Sequence, residues 1–240
     1  MCTVTFIPVK DTYFITSNRD EKHIRGQALP PEKYVENGTG IVYPKDADAG
    51  GTWIAMNDKG VAAVLLNGAF EKHESRPPYR VSRGVIFLEI LRANMPAIFF
   101  MDMDLSGIEP FTMIIFDNYL CECRWTGTTM HCRQLEKDQS YIWSSATLYN
   151  ETVVKKREQW FKTFFENNPS PTQEDILNFH RFTGDGDKKN DLYMNRDDLL
   201  STVSITGLAL RSGQYTIKYL DLKDSSIHEK VLESIPVEQP

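Results

Sequence analysis

Cysteine is scarce in this chain, and both long apolar runs and an excess of basic residues are missing. The 240 residues include four cysteines, too few for the disulfide-dense scaffold of a small secreted domain. No run of about 18 apolar residues is present, so the sequence predicts no membrane span. The formal net charge of -6 argues against a nucleic acid as the main partner, because such proteins carry basic surfaces.

The start of the chain lacks the basic and apolar regions of a signal peptide, and we therefore expect a cytoplasmic protein. Hydrophobic residues at 41% and charged residues at 25% are typical of a folded globular chain. No linker or internal repeat divides the sequence. We predict a single domain over residues 1–240, with a loose tail from Ser234 to Pro240.

The sequence predicts neither a metal site nor a cofactor. The acidic segment at 183–187 begins like a calcium-binding loop. However, such a loop needs a ligand at its fifth position, a glycine at the sixth and a glutamate at the twelfth, and these positions hold Lys189, Asn190 and Arg196. The five histidines are scattered, with no pair at the spacing of helical metal ligands, and we interpret them as surface or packing residues. Cys121 and Cys123 alternate along a predicted strand, so we expect them to pack together on one face.

Short strands and helices succeed one another without regular alternation. The runs Thr3–Val9 and Thr12–Thr16 around Lys10-Asp11 predict a hairpin, and the segment after it, rich in proline, glycine and charge, predicts a loop. A helix at Pro171–Phe182 should begin with Ser170 as N-cap and Gln173 in a capping box. Further strands are predicted at 52–56, 61–66, 111–116, 119–125, 129–135, 141–145, 202–206 and 215–222, and helices at 82–94 and 151–167. This order predicts an α+β protein with antiparallel sheets and helices on their outer faces.

A cysteine directly follows the initiator methionine. If Met1 is removed, Cys2 carries both a thiol and the free α-amine. The amine titrates at about 7.7–8.0 and a free thiol at about 8.5, so the amine can accept the proton of the thiol around neutral pH. This is the chemistry of an N-terminal nucleophile. The alternative is that Cys2 is a small apolar residue that fills space in a strand.

The segment Ser17–Glu21 ends the second strand of the predicted hairpin. Because that strand returns to the start of the first, Arg19 and Asp20 should lie near Cys2. A guanidinium there would favour the thiolate and bind a developing oxyanion, and a carboxylate would hold the α-amine. A charged turn is the alternative, since the similar string Asn195-Arg196-Asp197 occurs elsewhere in the chain.

Four motifs together resemble the NRDE family, also called the transport and Golgi organisation family. They are Met1-Cys2-Thr3, Ser17-Asn18-Arg19-Asp20-Glu21, Gly50-Gly51-Thr52-Trp53 and Leu66-Asn67. That family resembles the N-terminal-nucleophile hydrolases of the penicillin V acylase and bile-salt hydrolase branch. The resemblance extends from Met1 to about Leu222, and it implies a four-layer αββα sandwich of two antiparallel sheets.

The resemblance also implies roles for individual residues. Cys2 would be the nucleophile, Arg19 and Asp20 its partners, and Asn67 a donor to the oxyanion. Arg211 matches a late arginine of the family, although Leu210 stands where threonine is expected. Substrate contacts are implied for Asn18, Trp53, Ser144 and Ser145, the last of these standing where many relatives have asparagine.

Two functions of different kinds follow from this resemblance. The first is hydrolysis of a linear, non-peptide amide, with a small-molecule amide or acyl compound as substrate and no cofactor. The second is a non-catalytic carrier that holds an acyl, lipid-like or haem-like ligand in the same pocket. A redox-sensing thiol at Cys2 is a third possibility, although the sequence indicates no resolving cysteine near it.

Overall fold

The computed structural model describes residues 3–36 and 38–233, which form fourteen strands and four helices. The strands are β1 (Thr3–Val9), β2 (Thr12–Lys22), β3 (Leu29–Glu36), β4 (Thr39–Lys45), β5 (Ile54–Asn57), β6 (Ala62–Asn67), β7 (Phe111–Phe116), β8 (Leu120–Trp125), β9 (Met130–Leu135), β10 (Tyr141–Ser144), β11 (Asn195–Arg196), β12 (Leu200–Arg211), β13 (Gln214–Asp221) and β14 (Ile227–Glu233). The helices are α1 (Arg83–Arg92), α2 (Pro96–Asp102), α3 (Glu151–Asn167) and α4 (Gln173–Phe182).

The strands form two antiparallel sheets that pack face to face. The first sheet has the order β10-β1-β2-β12-β13-β14, with β11 paired to β12, and the second has the order β3-β4-β5-β6-β7-β8-β9. Helices α3 and α4 cover the outer face of the first sheet, and α1 and α2 cover that of the second. The predicted α+β fold and its αββα layers are thereby confirmed. No helix of the described residues is long and apolar enough to cross a membrane.

The apolar core lies mainly between the two sheets. Strand β6 is buried along almost its whole length, as its unbroken apolar run predicts for a strand covered on both faces. In β1, Val4 and Phe6 point toward the second sheet, whereas Thr5 and Ile7 face the helices. This two-residue alternation gives the first sheet an inter-sheet face and a helix face.

The predicted amino-terminal hairpin is confirmed. Strands β1 and β2 pair in antiparallel register from Thr3 opposite Asn18 to Val9 opposite Thr12. Lys10 in the connecting turn has a φ of 53°, in the left-handed region that tight hairpin turns require. The hairpin therefore brings the start of β1 to the segment that contains Arg19.

The loop predicted after this hairpin is wrong in part, because it contains the paired strands β3 and β4. Pro30 and Pro31 concealed β3 from sequence reasoning. Their missing N–H groups are tolerated because β3 is the edge strand of the second sheet and its register shifts between Leu29 and Glu32. Helix α2 and strand β14 were also not predicted.

The predicted start of α4 is wrong by two residues. Thr172, not Ser170, is the N-cap, and Asp175, not Gln173, completes the capping box. The Thr172 hydroxyl accepts from the backbone N–H of Asp175, while the Asp175 carboxylate accepts from the backbone N–H of Thr172 at 2.8 Å. Asp175 completes the capping box at the third helical position, and this pairing outweighs the preference of Pro171 for the first helical position. The tail predicted to be loose lies outside the described residues.

Candidate functional site

The end of β2 presents its polar residues to two different environments. Arg19 points into the space between the sheets, where it contacts Asp46 and Trp53. Asn18 and Asp20 point to the helix face, where they contact His180 and Tyr149. The alternation of a strand thus separates the guanidinium from the carboxylate that follows it.

Arg19 is 4% exposed and is held on three sides. Its guanidinium donates to Asp46 at 2.9 Å, lies 3.4 Å from the carboxylate of Glu21, and stacks over the Trp53 ring at 4.6 Å. A buried charge needs such partners because the desolvation cost is otherwise not offset. The position of this guanidinium is therefore fixed by packing as well as by charge.

Asp46 connects two arginines at the edge of this site. Arg25 binds the same carboxylate oxygen as Arg19, at 3.1 Å. Burial opposes the ionisation of Asp46. The backbone N–H of Ala49 and the charges of Arg25 and Arg19 outweigh that effect and hold its pKa below the usual range. Asp46 is therefore ionised at neutral pH and neutralises part of the local positive charge.

The Gly50-Gly51-Thr52-Trp53 motif positions the tryptophan. Gly50 has a φ of +70°, and a Cβ on Gly51 would lie 2.4 Å from the backbone carbon of Gly84 at the start of α1. Thr52 closes the turn by donating from its hydroxyl to the carbonyl of Pro44 at 2.6 Å. Only glycine allows this close approach, which brings Trp53 beneath Arg19.

Asn67 ends β6 and is connected to Ser145. The Ser145 hydroxyl donates to the backbone carbonyl of Asn67 at 2.9 Å and is 2.9 Å from the hydroxyl of Thr147. No hydrogen bond joins the side-chain amide of Asn67 to another of the described residues. Ser145 thus fixes the backbone of Asn67 and leaves its amide available.

A cavity of about 430 Å³ lies between these elements, and we call it the Arg19 cavity. Within the described parts of the chain, the buried indole Nε1 of Trp53 and hydroxyl of Ser82 have no hydrogen-bond partner. Both residues line this cavity. Arg83 also lines this cavity. Burial lowers the pKa of Arg83 and outweighs the effect of the Glu109 carboxylate, which lies 3.0 Å away and raises it. Its lining also includes Arg19, Glu21, Arg25, Asp46, Asn67, Tyr79 and Glu109. Unpartnered buried donors are rare in native proteins, and they suit a ligand that accepts hydrogen bonds.

Asn18 and His180 form a closed set of contacts on the helix face. The Asn18 side-chain nitrogen donates to the carbonyls of His180 and Leu192, at 3.1 and 2.7 Å. Its amide oxygen therefore accepts from Nδ1 of His180, and Nε2 accepts from the Thr5 hydroxyl at 2.8 Å. Burial, and next the charge of Arg157, lower the pKa of His180 to about 3. His180 is thus a neutral packing residue, in agreement with the sequence interpretation.

Asp20 and Arg157 complete this face near the start of β1. The Asp20 carboxylate accepts from the hydroxyls of Tyr149, at 2.7 Å, and Thr202. Arg157 is fully buried and stacks on the Tyr149 ring at 3.6 Å. Its guanidinium donates to the Thr3 hydroxyl and to backbone carbonyls at Asn190 and Asp191. These contacts fix the first described residue of the chain.

Ser144 lies on the other side of β1, where it pairs with Thr3. It borders a second cavity, of about 630 Å³, which we call the Glu122 cavity. Glu122 accepts from the Trp143 indole at 2.7 Å. Burial opposes the ionisation of Glu122, but hydrogen bonds from Arg124 and Arg133 outweigh it and lower its pKa.

The predicted site residues are only partly brought together. Arg19, Trp53 and Asn67 line one cavity, with Ser145 bonded to Asn67, whereas Asn18 and Asp20 lie on the opposite face of β2. Arg211 pairs with Thr12 at the far end of β12, and its side chain, 66% exposed, binds Asp11 at 3.0 Å. The Arg19 cavity does not include it. Cys2 lies outside the described residues.

Sequence reasoning missed Asp46, Arg157 and Tyr149. Asp46 follows β4 in a segment predicted as a loop, and Arg157 lies on a helix where a charged residue is expected to face water. The signal available in the sequence was that Arg157 falls on the apolar side of α3. No group of three or more His, Cys, Asp or Glu residues in the described ranges is arranged to hold a metal ion.

Solved structures of this architecture include two mutants of the conjugated bile acid hydrolase of Clostridium perfringens. They match at TM-scores of 0.56 and 0.53, with sequence identities of 11% and 12%. These matches cover 99% and 100% of this chain and 99% of each hydrolase chain. The Caenorhabditis elegans ortholog of N-acylethanolamine-hydrolyzing acid amidase matches at a TM-score of 0.51 and 10% identity, over 86% of this chain and 92% of that one. This chain therefore shares the fold of these hydrolases.

The sequence model of the family described as Transport and Golgi organisation 2 matches residues 1–217. The chain belongs to this family, which confirms the resemblance indicated by its four motifs. Among curated proteins, no sequence matches the chain.

Proposed function

We propose that this protein is an N-terminal cysteine hydrolase that cleaves a linear, non-peptide amide after Met1 is removed. The observation that supports the proposal most is the register of β1. Thr3 pairs with Asn18 on one side and with Ser144 on the other, at the end of the sheet where Arg19 and Asn67 line a cavity. Cys2 directly precedes Thr3 in the sequence. The proposal requires its thiol to share the inter-sheet face of β1 with Val4 and Phe6.

In the proposed reaction, the α-amine of Cys2 takes the proton of the thiol, and the thiolate attacks the amide carbon. The side-chain amide of Asn67 donates to the resulting oxyanion. The C–N bond then breaks, the amine leaves with the proton from the α-ammonium group, and a thioester on Cys2 remains. Water, deprotonated by the α-amine, attacks the thioester and releases the acid. One amino acid thus supplies both the nucleophile and the base.

Arg19 and Asp20 have different roles in this proposal. The Arg19 guanidinium lies on the face that the thiol must share, where a positive charge favours the thiolate. Asp20 is a positioning residue, because both its carboxylate oxygens accept from hydroxyls on the helix face. The proposal does not include Arg211. An amide substrate is supported by the structurally similar amidase, and the assignment of Cys2 is supported by the similar hydrolase that was crystallised with the cysteine at its second position changed to alanine.

A non-catalytic carrier is the second candidate, and the pairing of Arg19 favours it. Asp46 and Glu21 already neutralise this guanidinium, which weakens its effect on a nearby thiol. The unpartnered donors of Trp53 and Ser82 lie buried in the cavity wall, and in this proposal a small shift of either side chain lets it hold an acceptor group of an acyl, lipid-like or haem-like ligand.

Mass spectrometry and thiol labelling separate the two candidates. Intact mass reports whether Met1 is removed. A chloroacetamide probe followed by peptide mapping reports how fast Cys2 reacts relative to Cys121 and Cys132. We expect loss of Met1 and fastest labelling at Cys2 around neutral pH. Retained Met1 together with an inert Cys2 would overturn the hydrolase proposal and favour the carrier.

Turnover of a panel of N-acyl amides tests the assignment of Asn67. Removal of one oxyanion donor typically lowers kcat by about 10²–10³, so we expect a loss of this size for Asn67→Ala. Cys2→Ala should have no turnover. Asn94→Ala, which changes an exposed asparagine bound to Lys59, is the matched control and should retain it. Wild-type rates in both Asn67→Ala and Cys2→Ala would exclude this mechanism.

A further inference from the structure

Three cysteines outside the candidate site lie together on strands β8 and β9. Cys123 and Cys132 are directly opposite one another in the antiparallel register. Their sulfur atoms are 2.8 Å apart. Cys121 lies two residues before Cys123, on the same face of β8, and is diagonally across from Cys132 in the strand register. The third thiol thus lies beside the pair.

The sulfur atoms of Cys123 and Cys132 are close to bonding geometry. A disulfide has an S–S distance of about 2.05 Å, so the pair must close by only about 0.8 Å. Opposed residues of an antiparallel pair have Cβ atoms about 4.5–5.5 Å apart, whereas a disulfide needs about 3.5–4.5 Å, so the strands must approach by up to about 1 Å at this pair. The backbone register does not have to change.

The two thiols differ in their access to solvent. Cys123 is fully buried, whereas Cys132 is half-buried and borders a surface cavity of about 560 Å³ together with Met130 and Met101. An oxidant can therefore reach Cys132 from solvent, while Cys123 is shielded. This is the arrangement of an attacking thiol backed by a resolving one.

We propose that Cys123 and Cys132 form a reversible cross-strand disulfide, with a hydroperoxide as oxidant. The Cys132 sulfur attacks the peroxide oxygen, the O–O bond breaks, and Cys132 becomes a sulfenic acid as the other oxygen leaves as alcohol or water. The Cys123 sulfur then attacks the Cys132 sulfur, the S–O bond breaks, and water leaves. The two thiols lose two electrons and two protons in total, and the hydroperoxide is reduced. A dithiol reduces the bond back to the two thiols by exchange and is itself oxidised to a disulfide.

The surroundings make this reaction slow at neutral pH. A hydrogen bond from Cys121 lowers the pKa of Cys132, but its contact with Cys123 and its burial outweigh that effect and raise the pKa to about 12. Because the thiolate is the reacting form, the rate of oxidation should rise about tenfold for each pH unit across the neutral range. This dependence distinguishes the pair from an activated thiol such as the one proposed at Cys2.

Peroxide treatment of the folded, full-length protein tests the disulfide. After treatment, free thiols are alkylated in denaturant and the protein is digested with trypsin without reduction. The bond would join peptide 93–124, which contains Cys121 and Cys123, to peptide 125–133, which contains Cys132. We expect this linked pair in the wild type and in the Cys2→Ser and Cys121→Ser variants, and its loss on treatment with a dithiol.

Two further variants decide which residue is the partner. Cys123→Ser and Cys132→Ser should give no linked peptides, and Cys123→Ala provides a second replacement if serine is not tolerated at the buried position. Circular dichroism confirms that each variant is folded. Peroxide should raise the Tm of the wild type but not of Cys132→Ser. Full alkylation of all three thiols in the treated wild type would overturn the proposal, as would linked peptides that persist in Cys123→Ala.

Discussion

At the end of strand β2, the two faces differ in how completely the polar groups of Asn18, Arg19 and Asp20 and their surroundings are paired. Earlier on the helix face, the buried hydroxyl of Thr16 has no hydrogen-bond partner among the described residues. On the helix face, Asn18 and Asp20 use their side-chain oxygens and the Asn18 nitrogen in hydrogen bonds within the protein. On the inter-sheet face, Arg19 is paired, but the wall of the cavity beside it includes Trp53 and Ser82, whose buried donors have no partner among the described residues.

This difference indicates that neighbouring residues of one short motif, Asn18-Arg19-Asp20, serve different purposes, some the stability of the fold and some the binding of a ligand. Satisfied buried polar groups stabilise a unique structure, whereas an unsatisfied buried donor costs about 1–3 kcal/mol unless a ligand or water pairs it. We therefore assign a mainly structural role to the helix face and a binding role to the inter-sheet face. Substitutions on the helix face should change stability most.

The largest effect on stability is expected at Arg157. Arg157→Met removes the donors to Thr3 and to the carbonyls at Asn190 and Asp191, and each acceptor left buried without a partner costs about 1–3 kcal/mol. We expect the free energy of unfolding to fall by about 3 kcal/mol or more in urea titrations. The matched control is Arg211→Met, an exposed ion pair whose loss should cost at most about 1 kcal/mol. Equal losses in the two variants would contradict the structural role of the helix face.

The next effect depends on pH and comes from His180. Its pKa is about 3 in the folded protein, below the unfolded value of 6.5. The unfolded chain therefore binds the proton first as the pH falls, and the free energy of unfolding decreases between these two values. The slope from this group is at most about 1.4 kcal/mol per pH unit. His180→Gln should flatten the measured stability profile in this range, and an unchanged slope would show that His180 is not its source.

A smaller loss of stability is expected at Arg19, on the inter-sheet face. In Arg19→Gln, Asp46 keeps its contacts with Arg25 and the backbone N–H of Ala49, so we expect a loss of about 1–2 kcal/mol. The effect on chemistry should be greater. Alkylation of Cys2 measured against pH should show a higher thiol pKa in the variant than in the wild type. A large loss of stability with unchanged Cys2 reactivity would reverse the roles assigned to the two faces.

The smallest effect is expected at Ser82. This residue is the N-cap of α1, but its side chain makes no capping hydrogen bond, and its buried hydroxyl is unpartnered. Ser82→Ala removes a buried hydroxyl that has no partner, so it should not lower the Tm. Thr172→Ala removes a true cap and should cost about 1 kcal/mol. If the two substitutions are equally costly, Ser82 has a partner and is not a spare donor.

Much of the fold could be predicted because its signals are local. The β1–β2 hairpin, the buried strand β6 and helices α1, α3 and α4 follow from periodicity and turn residues within short stretches. Strand β3 could not be predicted in the same way, because its two prolines are compatible with a strand only at the edge of a sheet. The local sequence does not show which strand will lie at an edge. The start of α4 was misassigned because two overlapping capping patterns compete there.

For the candidate site, the sequence by itself determined which polar residues stand at the end of β2 and that this end returns to the start of β1. Only the tertiary structure decided what each of them contacts. Asp46 lies 27 residues after Arg19, and Arg157 binds Thr3 across 154 residues. Pairings at such separations depend on how two sheets and their helices pack, because a buried charge takes the partner that packing brings to it rather than the nearest one along the chain.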